Sequence, residues 1–369
     1  MFVVSLVSPI LTKAGDVAPD EVKLKAHVVT LASPEYQGRR GAGGRKAADY
    51  LVEQFQALKL GPLFEGSYDQ AFPGKEPGRN VGAVLRGSDA KLRDEWVVVS
   101  AHYDHLGTRG GVVYPGADDN ASGVAMMLEL ARTFATRSPA PRRSLMFVGF
   151  DLEEAGLYGS RYFVEHSPVP LDRIKLFLTA DMIGRSLGGV CEPYVFVMGT
   201  EHIPTARAWL TDASNDPSLS VGLLGSDILL LDRSDYGPFR ARKVPYLFFS
   251  TGENPLYHSP ADSADTVNYP KLAAISRLID KVVLRAASAD SVPEWSSVPD
   301  YPLEEALTIR AVIKTLLAHA DDLKIGGAQR FLMTNALRTL DGIEARGRVT
   351  PEERTSLIRV ARVILISVF

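Results

Sequence analysis

The chain has 369 residues, 46% of them hydrophobic, and a formal net charge of −3 at pH 7. This length and apolar content are enough for a full hydrophobic core and predict one large domain with an appendage. The slightly acidic balance gives no basic field for nucleic acid, so we expect no nucleic-acid partner. The single cysteine, Cys191, excludes an intramolecular disulfide framework and a cysteine-rich zinc site.

Residues 1–19 are predicted to form an N-terminal tail. They contain a short apolar run that lacks a basic segment before it and an A-x-A cleavage site, so they match a secretory signal poorly. The sequence has no run of about 18 apolar residues, the length that a membrane-spanning helix needs. We therefore expect no membrane span.

From residue 20 to residue 288, apolar strand patterns alternate with helical patterns. Strands are expected at residues 80–86, 95–101, 144–150 and 176–182. Helices are expected at residues 43–59, 121–135 and 157–165. Near-continuous apolar strands between helices are typical of a mostly parallel sheet that is covered on both faces. We therefore predict an α/β fold for residues 20–288, a three-layer αβα sandwich around a mostly parallel central sheet.

The character of the chain changes after residue 288. Residues 289–302 are rich in Pro and Ser and are predicted to be a linker, and residues 303–369 carry three helical patterns. The last pattern begins with a capping box formed by Thr350 and Glu353, with Pro351 at the first helical position. These features predict a small helical appendage. Its apolar faces need a partner, which can be one another, the larger domain or another subunit.

Side chains that bind zinc stand at the ends of several predicted strands. His102, the pair Glu153 and Glu154, and Asp181 each follow or close an apolar strand. In open sheets of this kind, ligands collect in the crevice beyond the carboxyl ends of the strands. Zn²⁺ accepts imidazole nitrogen and carboxylate oxygen. We therefore expect these four side chains to meet at one edge of the sheet.

Two further segments add candidate ligands. Asp118 and Asp119 precede a helix that starts near Ala121, where an acidic cap is the structural alternative, and His258 lies in a Pro-rich loop after another apolar run. Each of these features alone has an ordinary explanation, as a cap, a surface pair or a hydrogen-bonded polar residue. Together, so many carboxylates in one crevice would repel and raise one another's pKa values unless a cation were bound. The combination therefore predicts a metal site.

Five motifs in chain order resemble those of the dizinc aminopeptidase family, which includes bacterial leucine aminopeptidases and aminopeptidase Y and is related to glutaminyl cyclases and glutamate carboxypeptidases. The motifs are HYDHLG at 102–107, GADDNASG at 116–123, EEAGLYGS at 153–160, DMIG at 181–184 and YHSP at 257–260. The resemblance covers roughly residues 20 to 288. It implies the zinc-exopeptidase fold and two Zn²⁺ ions per chain.

The resemblance also implies a set of metal ligands. In it, Asp118 bridges the two ions, His102 and Asp181 complete the shell of one ion, and Glu154 and His258 complete the shell of the other.

Other roles follow from the same resemblance. Glu153 is the implied general base, and Asp104 is implied to orient His102. The resemblance further implies a cis peptide bond between Asp118 and Asp119.

Substrate contacts are expected from residues 185–240 and from the loop that carries His258. Within these segments we expect Tyr236, Tyr257 and Arg185 to lie close to the substrate. His105 is expected to form part of the pocket wall or to support a ligand rather than to bind metal. Candidates for an apolar wall, with core packing as the alternative, are Tyr194, Phe196, Leu229, Leu230, Tyr236 and Phe239.

The function that the resemblance implies is hydrolysis of the first peptide bond of peptides with a free N-terminus. Three alternatives remain open: a single-zinc cyclase or acyltransferase on the same fold, a carboxypeptidase, and a non-catalytic zinc-stabilised binding protein. A carboxypeptidase would need a basic group to bind the substrate carboxylate, for which Arg185 is the evident candidate. The resemblance favours a periplasmic or secreted location over a cytoplasmic one. The sequence leaves the oligomeric state open.

Overall fold

The fold is described from a computed structural model. The structure describes residues 17–74, 76–229 and 232–368, with side chains as far as residue 365. Most of the predicted N-terminal tail, residues 1–16, lies outside this range. Among the described residues, no helix combines the length and the apolar character that crossing a membrane requires.

The secondary structure of the described residues alternates as the sequence predicts. The strands are β1 (Gly61–Pro62), β2 (Asp69–Phe72), β3 (Gly78–Leu85), β4 (Trp96–His102), β5 (Thr108–Arg109), β6 (Val112–Val113), β7 (Ser144–Phe150), β8 (Ile174–Ala180), β9 (Tyr194–Met198), β10 (Ser220–Leu223) and β11 (Tyr246–Ser250). The helices are α1 (Glu21–Leu31), α2 (Ala42–Ala57), α3 (Gly123–Thr136), α4 (Tyr158–Glu165), α5 (Ala206–Ala213), α6 (Tyr236–Ala241), α7 (Tyr269–Ser288), α8 (Leu303–Ala318), α9 (Gly327–Arg346) and α10 (Pro351–Val368).

One large sheet organises the domain. Its strands follow the order β1-β3-β7-β4-β8-β11-β9-β10, and β2 pairs with β3. The four central strands β7, β4, β8 and β11 run parallel, whereas β3 joins β7 and β9 joins β11 in antiparallel pairs. Every residue of β4 and of β7 is buried, as expected for strands covered on both faces. The predicted α/β sandwich is therefore confirmed.

The two faces of the sheet support two hydrophobic cores. Val97 and Val99 of β4 pack into the core formed with α1, α2, α3 and α7, whereas Val98, which points the other way, packs into the core formed with α4, α6 and α8 to α10. The C-terminal helices therefore cover the same face as α4 and α6. Of the partners that the sequence left open for them, the structure provides one another and the larger domain.

Ion pairs hold the C-terminal helices against the domain. Arg354 of α10 contacts Asp227 at 2.7 Å and Glu305 of α8 at 2.6 Å, and its guanidinium lies over the ring of Tyr301. Glu305 also accepts a hydrogen bond from the backbone N–H of Gly225 at 2.8 Å. These contacts join α8, α10 and the segment after β10 into one unit.

The helix boundaries in the appendage agree with the capping signals in the sequence. Thr350 Oγ1 accepts a hydrogen bond from the backbone N–H of Glu353 at 3.2 Å, and Thr350 N–H donates to Glu353 Oε2 at 3.0 Å. This is the capping box that the sequence predicts.

Candidate metal centre

Three neighbouring parallel strands deliver acidic and imidazole groups to one edge of the sheet. His102 is the last residue of β4 and lies opposite Phe150, the last residue of β7. Glu153 and Glu154 follow β7 by a few residues, and Asp181 directly follows β8. Because the carboxyl ends of parallel strands meet at one edge, these groups converge as the sequence predicts.

The first cluster surrounds His102. Its Nε2 lies 3.3 Å from Asp181 Oδ1 and 3.4 Å from Asp119 Oδ1. Glu153 joins this group, since His102, Glu153 and Asp181 each offer a ligand atom within 4.8 Å of the others. The imidazole of His102 is 1% exposed, so water does little to screen these charges.

The second cluster surrounds Glu154. Its Oε2 lies 3.0 Å from His258 Nε2, and its Oε1 lies 2.8 Å from His105 Nδ1. Asp119 Oδ2 is 3.1 Å from His258 Nε2 and 3.8 Å from His105 Nδ1. The loop after β11 therefore brings His258 to the same sheet edge, as expected from the sequence.

Asp119 belongs to both clusters, because one of its carboxylate oxygens faces His102 and the other faces His258. This corrects the expectation for Asp118. Asp118 Oδ1 accepts a hydrogen bond from Gly184 N–H at 2.6 Å and its Oδ2 accepts one from the Asn254 side chain at 3.1 Å, so its carboxylate points away from the clusters. The cis peptide bond likewise joins Asp119 to Asn120, one residue later than the resemblance implied.

His105 lies within the second cluster, among the candidate metal ligands. It is fully buried, its Nδ1 contacts Glu154, and its ligand atom lies within 4.8 Å of those of Asp119 and Glu154. The hydrogen bond to Glu154 agrees with a supporting role, and the distances also permit metal binding.

Asp104 contacts residues of the first cluster and the backbone of both glutamates. Its Oδ1 accepts a hydrogen bond from the backbone N–H of Glu153 at 3.0 Å and lies 3.5 Å from Nδ1 of His102. Its Oδ2 accepts one from the backbone N–H of Glu154 at 3.3 Å. The backbone oxygen of Asp104 lies 3.3 Å from the same Nδ1, so Asp104 is placed beside His102, where the resemblance implied an orienting role. Its carboxylate also fixes the backbone of the two glutamates, which the sequence did not indicate.

Asp262 is a second supporting residue and was missed from the sequence. Its carboxylate accepts hydrogen bonds from the backbone N–H groups of Asp118 at 2.8 Å and Asp119 at 3.1 Å. The same carboxylate pairs with Arg185 Nη1 at 2.7 Å. Arg185 is thus buried beneath the Asp118–Asp119 segment, and the expectation that it contacts the substrate is wrong. The signal available in the sequence was the PADSADT stretch directly after His258.

Arg39 was also missed. Its buried guanidinium donates to the backbone oxygens of Gly116 at 2.7 Å and Asp119 at 3.1 Å, and its Nε donates to Tyr103 O at 2.8 Å. It therefore connects the loop that carries Asp119 to the residue after β4. No motif in the sequence distinguishes this arginine from others in the chain.

The electrostatics of the clusters fit a bound cation. Burial raises the pKa of Glu153 well above its usual value, and burial together with the neighbouring Glu154 raises the pKa of Asp119. Burial opposes protonation of His258, but its hydrogen bonds to Asp119 and Glu154 raise its pKa to about 10. Protons therefore offset the crowded negative charge in the metal-free protein. Carboxylates and imidazoles at these distances suit Zn²⁺, which can take the place of those protons.

An apolar cavity of about 500 Å³ opens beside the clusters. Tyr257 lines it, as expected, and stacks on His258 with ring centroids 3.8 Å apart. Tyr236 does not line it. This residue is fully buried and stacks on Tyr246 and Phe248, so core packing accounts for it.

The apolar wall was predicted in part. Phe196 and Leu229 line the cavity, whereas Tyr194 and Phe239 are absent from the lining among the described residues, and Leu230 lies outside the described part of the chain. Residues that the sequence did not suggest complete the wall. They are Met182, Leu187, Met198, Leu224, Ile228, Phe248, Ile309, Val312, Ile313, Leu316, Ala361, Ile364 and Leu365.

Comparison with protein families places this site in a known group. The family model described as Peptidase family M28 matches residues 80–283, more than half of the chain. The chain belongs to peptidase family M28. The match covers His102, Asp119, Glu154, Asp181 and His258, whereas Arg39 and the cavity wall contributed by α8 and α10 lie outside it.

Curated relatives match part of the chain. This chain is 28% identical over 226 residues to aminopeptidase YwaD of Bacillus subtilis. The aligned region covers 59% of this chain and 47% of the relative. This chain is 42% identical over 163 residues to a probable zinc metalloprotease of Pyricularia oryzae. That aligned region covers 40% of this chain and 31% of the relative. The chain therefore spans less than half the length of these two relatives.

Two solved structures share the fold. LapB from Legionella pneumophila superposes with a TM-score of 0.60 at 20% identity, over 73% of this chain and 72% of the other. Porphyromonas gingivalis glutaminyl cyclase superposes with a TM-score of 0.60 at 18% identity, over 73% of this chain and 99% of the other.

Proposed function

We propose that this chain is a zinc-dependent aminopeptidase that hydrolyses the first peptide bond of peptides with a free N-terminus. One observation carries the proposal: the two carboxylate oxygens of Asp119 face two separate imidazole and carboxylate clusters at the open edge of the sheet. Membership of peptidase family M28 supports it, as do relatives named aminopeptidase and probable zinc metalloprotease. A periplasmic or secreted location remains part of the proposal.

The proposed ligands divide between two positions that share Asp119. His102 and Asp181 would hold one Zn²⁺, and Glu154 and His258 would hold the other. Zn²⁺, when bound, supplies Lewis acidity that lowers the pKa of a water molecule and polarises the scissile carbonyl.

Glu153 is the proposed general base. Its backbone is fixed by Asp104, and its carboxylate lies near the His102 cluster. Burial raises its pKa, which is the direction that makes a carboxylate a stronger proton acceptor. In the proposed reaction, Glu153 takes the water proton as the carbonyl carbon is attacked and then donates a proton to the leaving amine.

The position of Arg185 removes the residue that the sequence offered for a carboxypeptidase, and Arg233 and Arg362 are the arginines that line the cavity instead. A carboxypeptidase needs a cation for the substrate carboxylate, and the candidate that the sequence offered is engaged by Asp262 at 2.7 Å. The similarity in fold to a glutaminyl cyclase keeps acyl transfer as a second candidate. Two adjacent candidate metal positions favour hydrolysis over a single-zinc cyclase.

Three peptides separate these activities: one with a free N-terminus, the same peptide with an acetylated N-terminus, and one that begins with glutamine. Each is assayed without chelator, with chelator and after addition of Zn²⁺. We expect release of the first amino acid from the free peptide, its loss with chelator and its recovery with Zn²⁺. Metal analysis should find two Zn²⁺ per chain. Cleavage of the acetylated peptide, release of a C-terminal amino acid, or ammonia loss from the glutaminyl peptide with one bound zinc would contradict the proposal.

A further inference from the structure

We propose that the C-terminal helices α8 and α10 complete the substrate cleft, and that the cleft selects substrates with an extended aliphatic group next to the reactive carbonyl. For the reaction itself this inference rests on the proposed function, whereas the binding of the aliphatic group does not depend on it. The cavity is continuous with the candidate metal centre, because Asp119, Glu153, Glu154 and Asp181 belong to its lining.

Apolar residues of two helices also line the cavity. On α8, Ile309, Val312, Ile313 and Leu316 recur at intervals of three and four residues, which places them on one face. On α10, Ala361, Ile364 and Leu365 do the same. Apolar side chains of the sheet, including Phe196, Met198 and Phe248, line the same cavity and belong to the same hydrophobic core as the helical residues.

The size of the cavity exceeds the need of an ordinary side chain. A cavity of about 150 Å³ is enough to bind benzene, and the volume here is about 500 Å³. The bulk of a leucine or phenylalanine side chain would therefore leave much of the apolar wall without contacts. A longer aliphatic group would bury that wall.

One ion pair and one hydrogen bond to the backbone engage the two arginines that line the cavity. Arg233 at the cavity pairs with Glu253 at 2.7 Å, and Arg362 of α10 donates to the backbone oxygen of Asp227. Arg354 holds α10 to both Asp227 and Glu305, so the helices form a fixed wall. The apolar group is thus held between an anchored helical surface and the sheet.

Binding of linear alkylamines, from butylamine to decylamine, tests the wall without any reaction. Isothermal titration of the chelator-treated protein should show affinity rising by about threefold to fourfold for each added methylene that the cleft buries. Val312→Trp, which fills the cleft from α8, should stop this rise at shorter chains. Val363→Trp provides the matched control, since Val363 on α10 is 48% exposed and belongs to the outer surface.

Activity provides the second readout. With zinc restored, the ratio of kcat/KM for a 2-aminodecanoyl amide to that for an alanyl amide should fall by about tenfold or more in Val312→Trp, as expected for losing two buried methylenes. Val363→Trp should keep the wild-type ratio. If Val312→Trp does not fold, as judged by circular dichroism and thermal unfolding, Ala361→Leu fills the cleft from α10 instead.

The outcomes separate this inference from the proposed function. Affinity that does not change with alkyl length, or equal behaviour of the Val312 and Val363 variants, overturns the inference. Alkylamine binding that follows chain length in a protein that cleaves no aminoacyl substrate overturns the proposed aminopeptidase activity and leaves the apolar cleft standing.

Discussion

The carboxylate of Asp104 binds the backbone N–H of Glu153 at 3.0 Å, and the same oxygen lies 3.5 Å from the imidazole of His102. One buried side chain therefore positions both the proposed base and a proposed ligand. Because β4 and β7 are neighbours in the sheet, the segments after them can share this single acceptor.

Asp104→Asn should weaken zinc binding and slow turnover together. Supporting residues of metal sites typically contribute roughly 10- to 100-fold in metal affinity or activity. Zinc titration and kcat measured on one preparation check this. Asp151→Asn is a suitable control, because Asp151 lies at the same sheet edge but accepts hydrogen bonds from Arg79 N–H and Leu152 N–H. Equal losses in both variants would indicate a general structural effect.

Glu153→Gln should retain zinc and lose activity. General acid–base catalysis typically contributes about 10²- to 10⁴-fold in rate, and glutamine cannot accept the proton. Metal analysis together with kcat is the measurement. Turnover close to that of the wild type would remove Glu153 from the mechanism, and loss of zinc with the substitution would make it a ligand instead.

Substitutions at the two adjacent aspartates should have different effects. Asp119→Asn removes a charge that faces both clusters, so zinc affinity should fall at both positions, by more than the roughly 100-fold typical of supporting residues. Asp118→Asn should keep both zinc ions and lower the unfolding temperature. The reason is that it disturbs the hydrogen bonds that the carboxylate accepts from Gly184 and Asn254. Metal analysis and thermal unfolding distinguish the two. The reverse pattern would restore Asp118 as the bridging residue.

Zinc binding should release protons, and zinc affinity should rise with pH. The pKa of His258 is raised to about 10 in the metal-free protein, so the imidazole stays protonated at neutral pH. Since metal binds the neutral imidazole, each such proton must leave on binding. Affinity should therefore fall as pH falls below about 10. Titration calorimetry in buffers of different ionisation enthalpy counts the protons, and a count of zero at neutral pH would refute this account.

Arg354→Met should destabilise the C-terminal helices. It leaves Glu305, whose side chain is 4% exposed, without its cationic partner. Breaking a buried pair from one side typically costs about 3 kcal/mol or more. Urea unfolding measures the change. Arg359→Met is the matched control on the same helix, because residue 359 is exposed. An equal, small effect of both variants would show that the ion pairs do not hold the appendage.

Strand ends and helix starts could be read from local patterns. The runs that end at His102 and before Glu153, and the capping box at Thr350, depend on residues within a few positions of one another. For that reason the predicted convergence of His102, Glu153, Glu154 and Asp181 agrees with the structure. The two acids Asp118 and Asp119, by contrast, look equivalent in the sequence. Their different orientations depend on Gly184 and Asn254, which donate hydrogen bonds to the carboxylate of Asp118 and lie 66 and 136 residues beyond it in the chain.

The sequence by itself determined the α/β fold, the edge of the sheet where the ligands gather and the family resemblance, because apolar periodicity and short motifs are local properties. Only the tertiary structure decided which aspartate faces the clusters, which residue pairs with Arg185 and what the C-terminal helices cover. Each of those outcomes is a contact between segments far apart in the chain, and such contacts depend on how the packed elements lie in space.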